Sequence, residues 1–577
     1  MESKNLILAI TLSVGILLIW SILFEAPPIE DPRINNQATE IKKEDGNKDA
    51  DLDFNSFDIG ETIVNSSEDI LSVDESLKNS QRIKIKTPSL SGSINLLGLK
   101  IDDLVLEKYN KTLEADSEKI RFLSPGDTRD GLEISFGWIK PKDSSFDVPD
   151  SKSLWSVSNS STTLDENNEV ILEWSNNSGQ IFQTFISVDK DYLFNVKQVV
   201  KNNSSEEIIV NNNSKVIRKK APQLSGMFIL HEGPIGVLKE ELELIDYDDL
   251  KEDKDVLNYE SDNGWIGITD KYWLAALIPD QNIPFKSIYA YDDNLGYITY
   301  FRSLDSYSVK PNTKIEIDSK VFAGAKEADL LDLYQEKYNI YNFDLAIDWG
   351  WFYFITKPLF YAISYFYELF GNFGIAIILL TMITRIVFFP LANWSFVSMA
   401  KMKLLQPEMT RIKDLYKDDR QQQQQALMAL YKKEKVNPVS GCLPILIQIP
   451  FFFAIYKMLF ISIEMRHAPF YGWIEDLSVK DPTTIFNLFG LIPWDPPSFM
   501  IIGIWPILMG LTMYLQQKLN PAPPDPIQAK IFSFFPLFIT ILLSQFAAGL
   551  VIYWTTNNIL SILQQWIITR RTKIKTN

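Results

Sequence analysis

Residues 371–392 read GNFGIAIILLTMITRIVFFPLA, and Arg385 is the one charged side chain among them. An apolar run of about 20 residues has the length of a helix that crosses the hydrocarbon core of a bilayer. Arg385 lies eight residues before Asn393, where a polar loop begins, so it would lie roughly 12 Å deep. A charge at that depth costs about 2.5–3.5 kcal/mol on insertion scales. The stretch therefore predicts a membrane span in which Arg385 has a role that offsets the cost of its burial.

Other apolar segments extend this prediction to a polytopic α-helical membrane protein with six spans. Near the N-terminus, Leu6–Phe24 holds no charge and is followed by Glu25-Ala26-Pro27-Pro28 rather than by a small-x-small cleavage site. We interpret residues 1–24 as an uncleaved transmembrane anchor and not as a cleaved signal peptide. The five spans of the core are predicted at residues 371–392, 442–461, 499–515, 531–547 and 550–568.

Charge is distributed unevenly between the two halves of the chain. Residues 1–340 carry a net charge of −23, whereas residues 341–577 carry +6. The overall charge of −17 argues against a nucleic-acid-binding protein. The chain has one cysteine, Cys442, so an intrachain disulfide and a multi-cysteine metal site are excluded. It has two histidines, His231 and His467, so paired-histidine catalysis is nearly excluded. The pattern predicts a membrane protein with a large acidic domain outside the bilayer.

The acidic half divides into a linker and a β domain. Residues 25–80 are polar and lack apolar periodicity, which predicts a disordered linker. From residue 81 to 340, apolar and polar residues alternate in short runs such as Val170–Trp174 and Ile181–Val188, separated by Asn, Ser and Gly. This alternation is typical of an all-β sandwich. A helix is predicted near its end, at Ala325–Tyr338. We interpret His231 as a packing residue and expect no catalysis here.

The direction of the chain across the membrane follows from its basic residues. The loop between the second and third spans holds nine Lys or Arg side chains, and the C-terminal tail is also basic. The positive-inside rule places both in the cytoplasm. Both termini are then cytoplasmic, and the acidic domain lies on the outer side. Residues 341–370 are rich in aromatic side chains and are predicted to form an amphipathic helix in the membrane interface.

Residues 395–436 are predicted to form a cytoplasmic αα-hairpin. Apolar positions at Met399, Met402, Leu405 and Met409 recur every three or four residues, which marks one face of a helix. Asp418-Asp419 supplies a turn, and a second helix follows from about Gln421 to Lys435. The methionines suit contact with varied apolar segments, and a packed seam between the two helices is an equally good interpretation.

The polar neighbours of Arg385 favour a functional role over simple snorkelling. Thr381 precedes it by one helical turn and shares its face. Uncharged polar residues recur in the other spans, whereas no Asp or Glu lies in the core of the second, third, fifth or sixth span. An arginine among uncharged polar groups predicts a water-filled cavity and not a buried ion pair.

Several motifs, in the same order, resemble the YidC/Oxa family of membrane protein insertases in its Gram-negative form. These are SMAKM at 398–402 with LQP at 405–407, MALY at 428–431, EKVNP at 434–438, GCLPILIQIP at 441–450 and GLVIYW at 549–554. Arg385 lies five residues before Pro390, like the arginine of the family's groove. The resemblance is close over residues 340–570. The acidic domain is similar in placement and pattern only.

This resemblance implies a protein that is not an enzyme and needs no cofactor or metal. It implies a five-span insertase core (371–577) that inserts and folds nascent membrane proteins through a hydrophilic groove open to cytoplasm and lipid, and a periplasmic β-super-sandwich. The implied partners are nascent membrane proteins, SecYEG and SecDF of the Sec translocon, the ribosome or signal recognition pathway at the hairpin, and the lipid bilayer, with no direct nucleic-acid contact. The expected groove residues are Arg385, Thr381, Thr384, Gln448, Gln545, Tyr553, Trp554, Thr555 and Asn558. The expected hairpin residues are Met399, Lys401, Met402, Gln406, Pro407 and Tyr431.

Two further interpretations complete the sequence analysis. A secondary transporter for small anions is the alternative function, because a midplane arginine binds anions; it predicts repeated halves and an intramembrane acid, and neither is visible. Lys457 lies near the outer end of the third span, where we expect its side chain to snorkel towards water.

Overall fold

The computed structural model describes residues 70–114, 116–159, 161–223, 230–254, 256–417, 419–434, 436, 443–488, 492, 494, 496–497, 501–520 and 526–576. The predicted anchor at 1–24, most of the linker at 25–80 and Cys442 lie outside these residues. The chain forms two compact units, of which the first extends to Ala346 and the second begins at Ile347. Each unit is considered separately below.

The first unit is built from two β-sheets. In chain order its strands are β1 (Arg82–Lys86), β2 (Leu90–Asn95), β3 (Lys100–Asn110), β4 (Lys119–Leu123), β5 (Leu132–Ile139), β6 (Ser156–Val157), β7 (Thr163–Leu164), β8 (Glu169–Ser175), β9 (Gln180–Val188), β10 (Leu193–Asn202), β11 (Ile208–Arg218), β12 (Gly233–Leu238), β13 (Glu241–Leu244), β14 (Leu257–Ser261), β15 (Gly264–Thr269), β16 (Trp273–Pro279), β17 (Phe285–Asp292), β18 (Gly296–Ser303), β19 (Tyr307–Val309) and β20 (Thr313–Ala325). Eleven of these strands form one sheet in the order β14-β17-β18-β11-β5-β3-β2-β1-β7, with β19 beside β11 and β4 beside β3. The other nine follow the order β13-β12-β15-β16-β20-β10-β9-β8-β6.

The two sheets pack face to face, which makes the unit a β-sandwich. The hydroxyl of Tyr289 on β17 donates to the carbonyl oxygen of Ile235 on β12 over 3.2 Å, and thus joins one sheet to the other. The largest fully buried side chains are mainly aromatic and include Trp265, Phe182 and Phe322. Burying a side chain of this size contributes about 1.5–3 kcal/mol. The predicted sandwich is therefore present, and its strands coincide with the alternating runs of the sequence.

Short helices accompany the sandwich. Helix α1 (Val73–Lys78) lies within the segment predicted as disordered linker, because Ser72 and Glu75 form a capping box that satisfies the first amides of the helix. Helix α2 spans Tyr247–Asp253. Helix α3 spans Ala328–Tyr338 and begins three residues later than predicted, since β20 continues to Ala325.

The second unit is helical. Its helices are α4 (Tyr353–Phe370), α5 (Phe373–Val387), α6 (Phe389–Leu404), α7 (Gln406–Leu415), α8 (Arg420–Lys433), α9 (Leu443–Ile461), α10 (Ile504–Leu519), α11 (Pro526–Leu543) and α12 (Ala548–Thr576). Taken one at a time, none of the described helices combines the length and the hydropathy of a complete membrane span. Helices α5 and α6 meet that criterion together, with a bend of 68° between them.

Prolines divide helices that the sequence analysis treated as continuous. The span predicted at 371–392 ends at Val387, and α6 restarts with Pro390 in its first turn. The first hairpin helix is likewise split at Leu405, because Pro407 lies in the first turn of α7. Proline lacks a backbone N–H and is tolerated in the first turn of a helix, where that donor has no intrahelical partner.

Helix α4 is amphipathic, as its sequence predicted. Thr356, Phe360 and Ile363 are buried at a spacing of four and three residues, whereas Phe354 and Tyr365 are about 60% exposed. The exposed face thus carries large aromatic side chains, which is the composition of a helix that faces a membrane interface.

Candidate functional site

Arg385 lies in the last turn of α5 and is almost completely buried, with 7% of its surface exposed. Its Nε donates a 2.7 Å hydrogen bond to Oδ1 of Asn557 on α12, and Nη2 donates to the backbone oxygen of Asn557 over 3.3 Å. Helices α5 and α12 therefore meet at this pair. An asparagine satisfies part of the guanidinium without cancelling its charge, since its side chain is neutral.

Among the described residues, no Asp or Glu pairs with Arg385. Helices α5 and α9 to α12 contain no acidic side chain in their described parts. In a low-dielectric surrounding, an unbalanced cation exerts a stronger field than it does in water. The charge of Arg385 is therefore available to a negative or polar group, while its Nε is bonded to Asn557.

Polar side chains continue along α12 from Asn557 towards the C-terminus. Ser561 donates to the backbone oxygen of Asn557 over 2.7 Å, and Nε2 of Gln564 lies 3.5 Å from the backbone oxygen of Arg385. Buried oxygen Oε1 of Gln564, like that of Gln565, accepts no hydrogen bond from the described residues. Sequence analysis did not assign these residues to the site. They lie four, seven and eight residues after Asn557, and this spacing is the signal that identifies them as one side of the helix.

The two threonines of α5 lie on or beside the arginine's face, but they do not bond to Arg385. Thr381 is 1% exposed, and its hydroxyl donates to the backbone oxygen of Ile377 over 2.7 Å. The hydroxyl of Thr384 donates to the backbone oxygen of Thr381 over 2.9 Å. Both hydroxyls are thus satisfied within their own helix, a common arrangement for threonine in a helix.

Two of the predicted groove residues on α12 face the interior of the bundle. Thr555 is buried, and its hydroxyl donates to the backbone oxygen of Val551 over 2.8 Å. Asn558 donates over 3.2 Å to the hydroxyl of Thr512, which lies on α10. This bond connects α10 to α12 one residue beyond the partner of Arg385.

Tyr553 and Trp554 contact α9 through one phenylalanine. The ring of Phe452 lies 4.8 Å from that of Trp554, edge to face, and 6.4 Å from that of Tyr553. Gln448, one helical turn before Phe452, is half-buried. These residues join α9 to α12, and the structure shows no bond between them and Arg385.

Gln545 lies away from the arginine. It precedes α12, its Oε1 is 3.3 Å from Nζ of Lys480, and its Nε2 is 3.5 Å from the backbone oxygen of Ile501. From the start of α12 at Ala548 to Asn557 is about 14 Å at 1.5 Å per residue. The structure therefore does not bring Gln545 to the level of Arg385, because it belongs to the opposite end of the helix.

The predicted hairpin residues are distributed over three helices. Met399 packs partly against the cluster of Ala392, Phe396 and Ile568. The hydroxyl of Tyr431 lies 3.8 Å from Sδ of Met409, so α7 and α8 touch there. The remaining predicted residues are Lys401 and Met402 on α6, and Gln406 and Pro407 in the first turn of α7.

Lys457 is part of an ion pair and does not snorkel. Its Nζ lies 2.7 Å from Oδ2 of Asp348, and the two side chains are 12% and 20% exposed. The pair connects α9 to the chain just before α4. His231, in the β-sandwich, has a buried side chain with Nε2 3.0 Å from the backbone oxygen of Pro234, as a packing residue would.

Comparison with known proteins identifies both units. Residues 82–362 match the family model described as YidC periplasmic domain, and residues 365–576 match the one described as 60Kd inner membrane protein. The membrane protein insertase YidC of Pelagibacter ubique (strain HTCC1062) is 48% identical over 576 residues and covers 100% of both chains. That of Sinorhizobium medicae (strain WSM419) is 44% identical and covers 100% of this chain and 96% of the relative.

A solved structure, described as an active YidC insertase with the first transmembrane domain resolved, is 17% identical, covers 84% of this chain and 92% of its own, and has a TM-score of 0.35. The relatives' names describe insertases and neither anion transporters nor enzymes. Sequence identity of 44–48% over the whole length is enough to settle the family. This chain belongs to the YidC family, and its β-sandwich is the family's periplasmic domain.

Proposed function

We propose that this chain inserts nascent membrane proteins into the inner membrane of a bacterium through a polar groove centred on Arg385. The observation that carries the proposal is the bond between Arg385 and the neutral Asn557, while the described parts of α5 and α9 to α12 hold no acid to balance the charge. A buried charge that the protein leaves unbalanced is costly, and such charges in membrane proteins mark functional sites.

The groove guides the polar part of a substrate. The guanidinium keeps donors that have no partner among the described residues. Gln564, whose Nε2 lies 3.5 Å from the backbone oxygen of Arg385, carries a buried acceptor oxygen without a described partner. A polar or acidic tail that enters from the cytoplasm loses hydrogen bonds to water and forms interactions with these groups instead. Its apolar segment then leaves sideways into lipid, where burial of that segment stabilises the product by about 25 cal/mol per Å².

The proposed topology has six spans, with both termini in the cytoplasm and the β-sandwich in the periplasm. Its support is the positive-inside rule: residues 393–439 hold nine Lys or Arg side chains, and the end of α12 is basic. The bent pair α5 and α6 then passes from the membrane into the cytoplasmic hairpin. Helix α4, with its exposed aromatic face, lies in the outer interface.

The hairpin receives substrate on the cytoplasmic side. Leu415 and Met428 are 69% and 53% exposed, and exposed apolar side chains bind apolar segments of varied shape. We propose the ribosome or the signal recognition pathway as its delivery partner, and SecYEG and SecDF as partners in translocon-dependent insertion. The resemblance to the family is the support for these partners.

The test is depletion of the chromosomal protein followed by complementation with variants at position 385. Small membrane proteins with short translocated tails are pulse-labelled, and protease accessibility of the tail reports insertion. We expect Arg385→Lys to retain much of the activity, and Arg385→Ala and Arg385→Glu to lose it for substrates with charged tails. Arg129→Ala, at an exposed position in the β-sandwich, is the matched control. Equal insertion with Arg385→Glu would refute the role of the charge.

A further inference from the structure

The C-terminal end of α10 is held by a lysine from α6. Nζ of Lys403 lies 3.5 Å from the backbone oxygen of Lys518 and 3.4 Å from that of Leu519. The last carbonyl groups of a helix lack intrahelical partners and carry partial negative charge, so a cation there is stabilising. Lys403 and Lys518 are thereby brought to the same helix end.

Two amide side chains bring α11 and α12 to the same place. Nε2 of Gln517 donates over 2.5 Å to the backbone oxygen of Phe532 on α11. Nε2 of Gln565 on α12 donates over 3.0 Å to Oδ1 of Asn520, which follows α10. The end of α10 is therefore a junction of four helices: α6, α10, α11 and α12.

Two cations at this junction stack on aromatic rings of their own helices. Nζ of Lys518 lies 4.8 Å from the ring centre of Tyr514, and the guanidinium of Arg570 lies 4.3 Å from that of Trp566. The two rings are 44% and 46% exposed. Cation–π contact holds each cation beside an outward-facing ring, and aromatic rings of this kind lie at the headgroup level of a bilayer.

The four helices that meet at this junction contain no acidic side chain in their described residues. Residues 504–519 and 526–576, which include all of α10, α11 and α12, contain no Asp or Glu. Each of the four helices carries an exposed cation within five residues, along the chain, of one of these contacts, and we name these cations the basic collar: Lys403, Lys518, Lys530 and Arg570.

We propose that the basic collar binds the phosphate headgroup of an anionic phospholipid in the cytoplasmic leaflet. The inference rests on the proposed topology, which places this helix end at the cytoplasmic surface. Lipid fits better than RNA, because the helices that carry the collar also expose apolar side chains such as Leu515 and Leu563, which are 47% and 50% exposed and suited to an acyl chain. Without such a site, the same cations would interact with anionic lipid only as a diffuse charge.

The experiment measures lipid binding to the purified full chain in detergent by native mass spectrometry. Dioleoyl phosphatidylglycerol is titrated against dioleoyl phosphatidylcholine as the zwitterionic reference. The test variant is K518Q/R570Q, and the control is K432Q/K433Q, which removes two exposed cations from α8. Each basic side chain near an anionic surface strengthens binding about fivefold. We therefore expect about 25-fold weaker binding of phosphatidylglycerol to K518Q/R570Q and little change in the control.

An equal loss of phosphatidylglycerol binding in the test variant and in the control would overturn the proposal, because it would show that the lipid responds only to diffuse charge. Displacement of the lipid by an equimolar amount of inorganic phosphate would also overturn it, because the site would then recognise a free anion. A third result would also overturn the proposal: K518Q/R570Q binds lipid as well as the parent chain does, but it no longer binds an RNA hairpin. Unfolding temperatures of the variants confirm that they are folded. Insertion by the parent chain is measured separately, so that failure of the lipid site and failure of the proposed insertase function are distinguishable.

Discussion

Removal of either partner of the Lys457–Asp348 ion pair is expected to loosen α4 from α9. The pair is geometrically well defined. Oδ1 of Asp348 accepts a 3.1 Å hydrogen bond from the backbone N–H of Gly350, and Oδ2 lies 2.7 Å from Nζ of Lys457. The aliphatic stem of Lys457 passes 3.3–3.5 Å from the position that a Cβ on Gly350 would occupy. The lysine head therefore has little freedom to turn towards solvent.

The magnitude follows from burial. Removing one partner of a fully buried ion pair costs about 3–5 kcal/mol, because the remaining charge is left uncompensated. Here 12% and 20% of the two side chains are exposed, so water stabilises part of the remaining charge. We expect Lys457→Met and Asp348→Asn each to cost about 2 kcal/mol. The double variant, which leaves no orphan charge, should cost only about 1 kcal/mol.

Hydrogen exchange of the full chain in detergent, resolved by mass spectrometry, measures this locally. A cost of 2 kcal/mol corresponds to about 30-fold faster exchange in α4 and in the outer end of α9, if these helices open as a unit. Exchange in α10 should not change, which provides an internal control. A global unfolding temperature would be less informative, because the chain has two units and need not unfold in one step.

Two results would contradict this reasoning. If Lys457→Met has no effect or slows exchange, then the lysine is a snorkelling residue and the apolar methionine suits its position better. If the costs of the two single variants simply add in the double variant, then the side chains are not coupled, and the 2.7 Å contact contributes nothing measurable.

Three further substitutions test other parts of the helical unit. Asp481→Ala removes the acceptor of a backbone N–H in the first turn of α10 and should destabilise that helix by about 1–2 kcal/mol, seen as faster hydrogen exchange there. Gly374→Ala places a Cβ within 1.9 Å of Phe470; it should lower the unfolding temperature, and Phe470→Ala in the same chain should restore much of the loss. Asn557→Asp would pair with Arg385 and neutralise it, so insertion of acidic tails should fall while the protein remains folded; equal insertion would contradict the need for an unbalanced charge.

The strands of the β-sandwich could be predicted because one face of each sheet is buried. Alternation at Ile83 and Ile85 with lysines between them corresponds to the observed burial pattern of β1. A period of two residues is local, so it is visible in the sequence alone. The order of the strands was not predicted, since neighbours such as β10 and β20 are far apart in the chain.

The breaks between helices were less visible. Residues 371–392 were predicted to form one membrane span, but Pro390 restarts the chain as α6 with a bend of 68°. A proline in the sequence predicts that a helix is interrupted, whereas the angle of the bend depends on what the next helix packs against. For α6 that contact includes Ile568, more than 160 residues later.

The arginine of the site could be found from its residue type, but its partner could not. Several polar residues on α12 were equally suitable, and choosing Asn557 requires the rotation of α12 relative to α5. That rotation is set by packing. Gln545 was predicted as a groove residue for the same reason: its residue type fits, but it precedes α12 and lies near Lys480, away from Arg385.

Because the partner of Arg385 is neutral, the guanidinium is buried and still keeps an unbalanced positive charge. A carboxylate at position 557 would compensate the charge better and would leave less of its field for a substrate. Asn557 supplies an acceptor at 2.7 Å and leaves the charge in place, so the protein retains part of the cost of burying it. That cost, about 2.5–3.5 kcal/mol on insertion scales, lowers the stability of the empty site. Under the proposed function, a polar or acidic tail that enters the site relieves it. Proteins commonly accept such a loss of stability at functional sites. Because the described parts of α5 and α9 to α12 contain no acid, no carboxylate in these helices compensates the charge of Arg385.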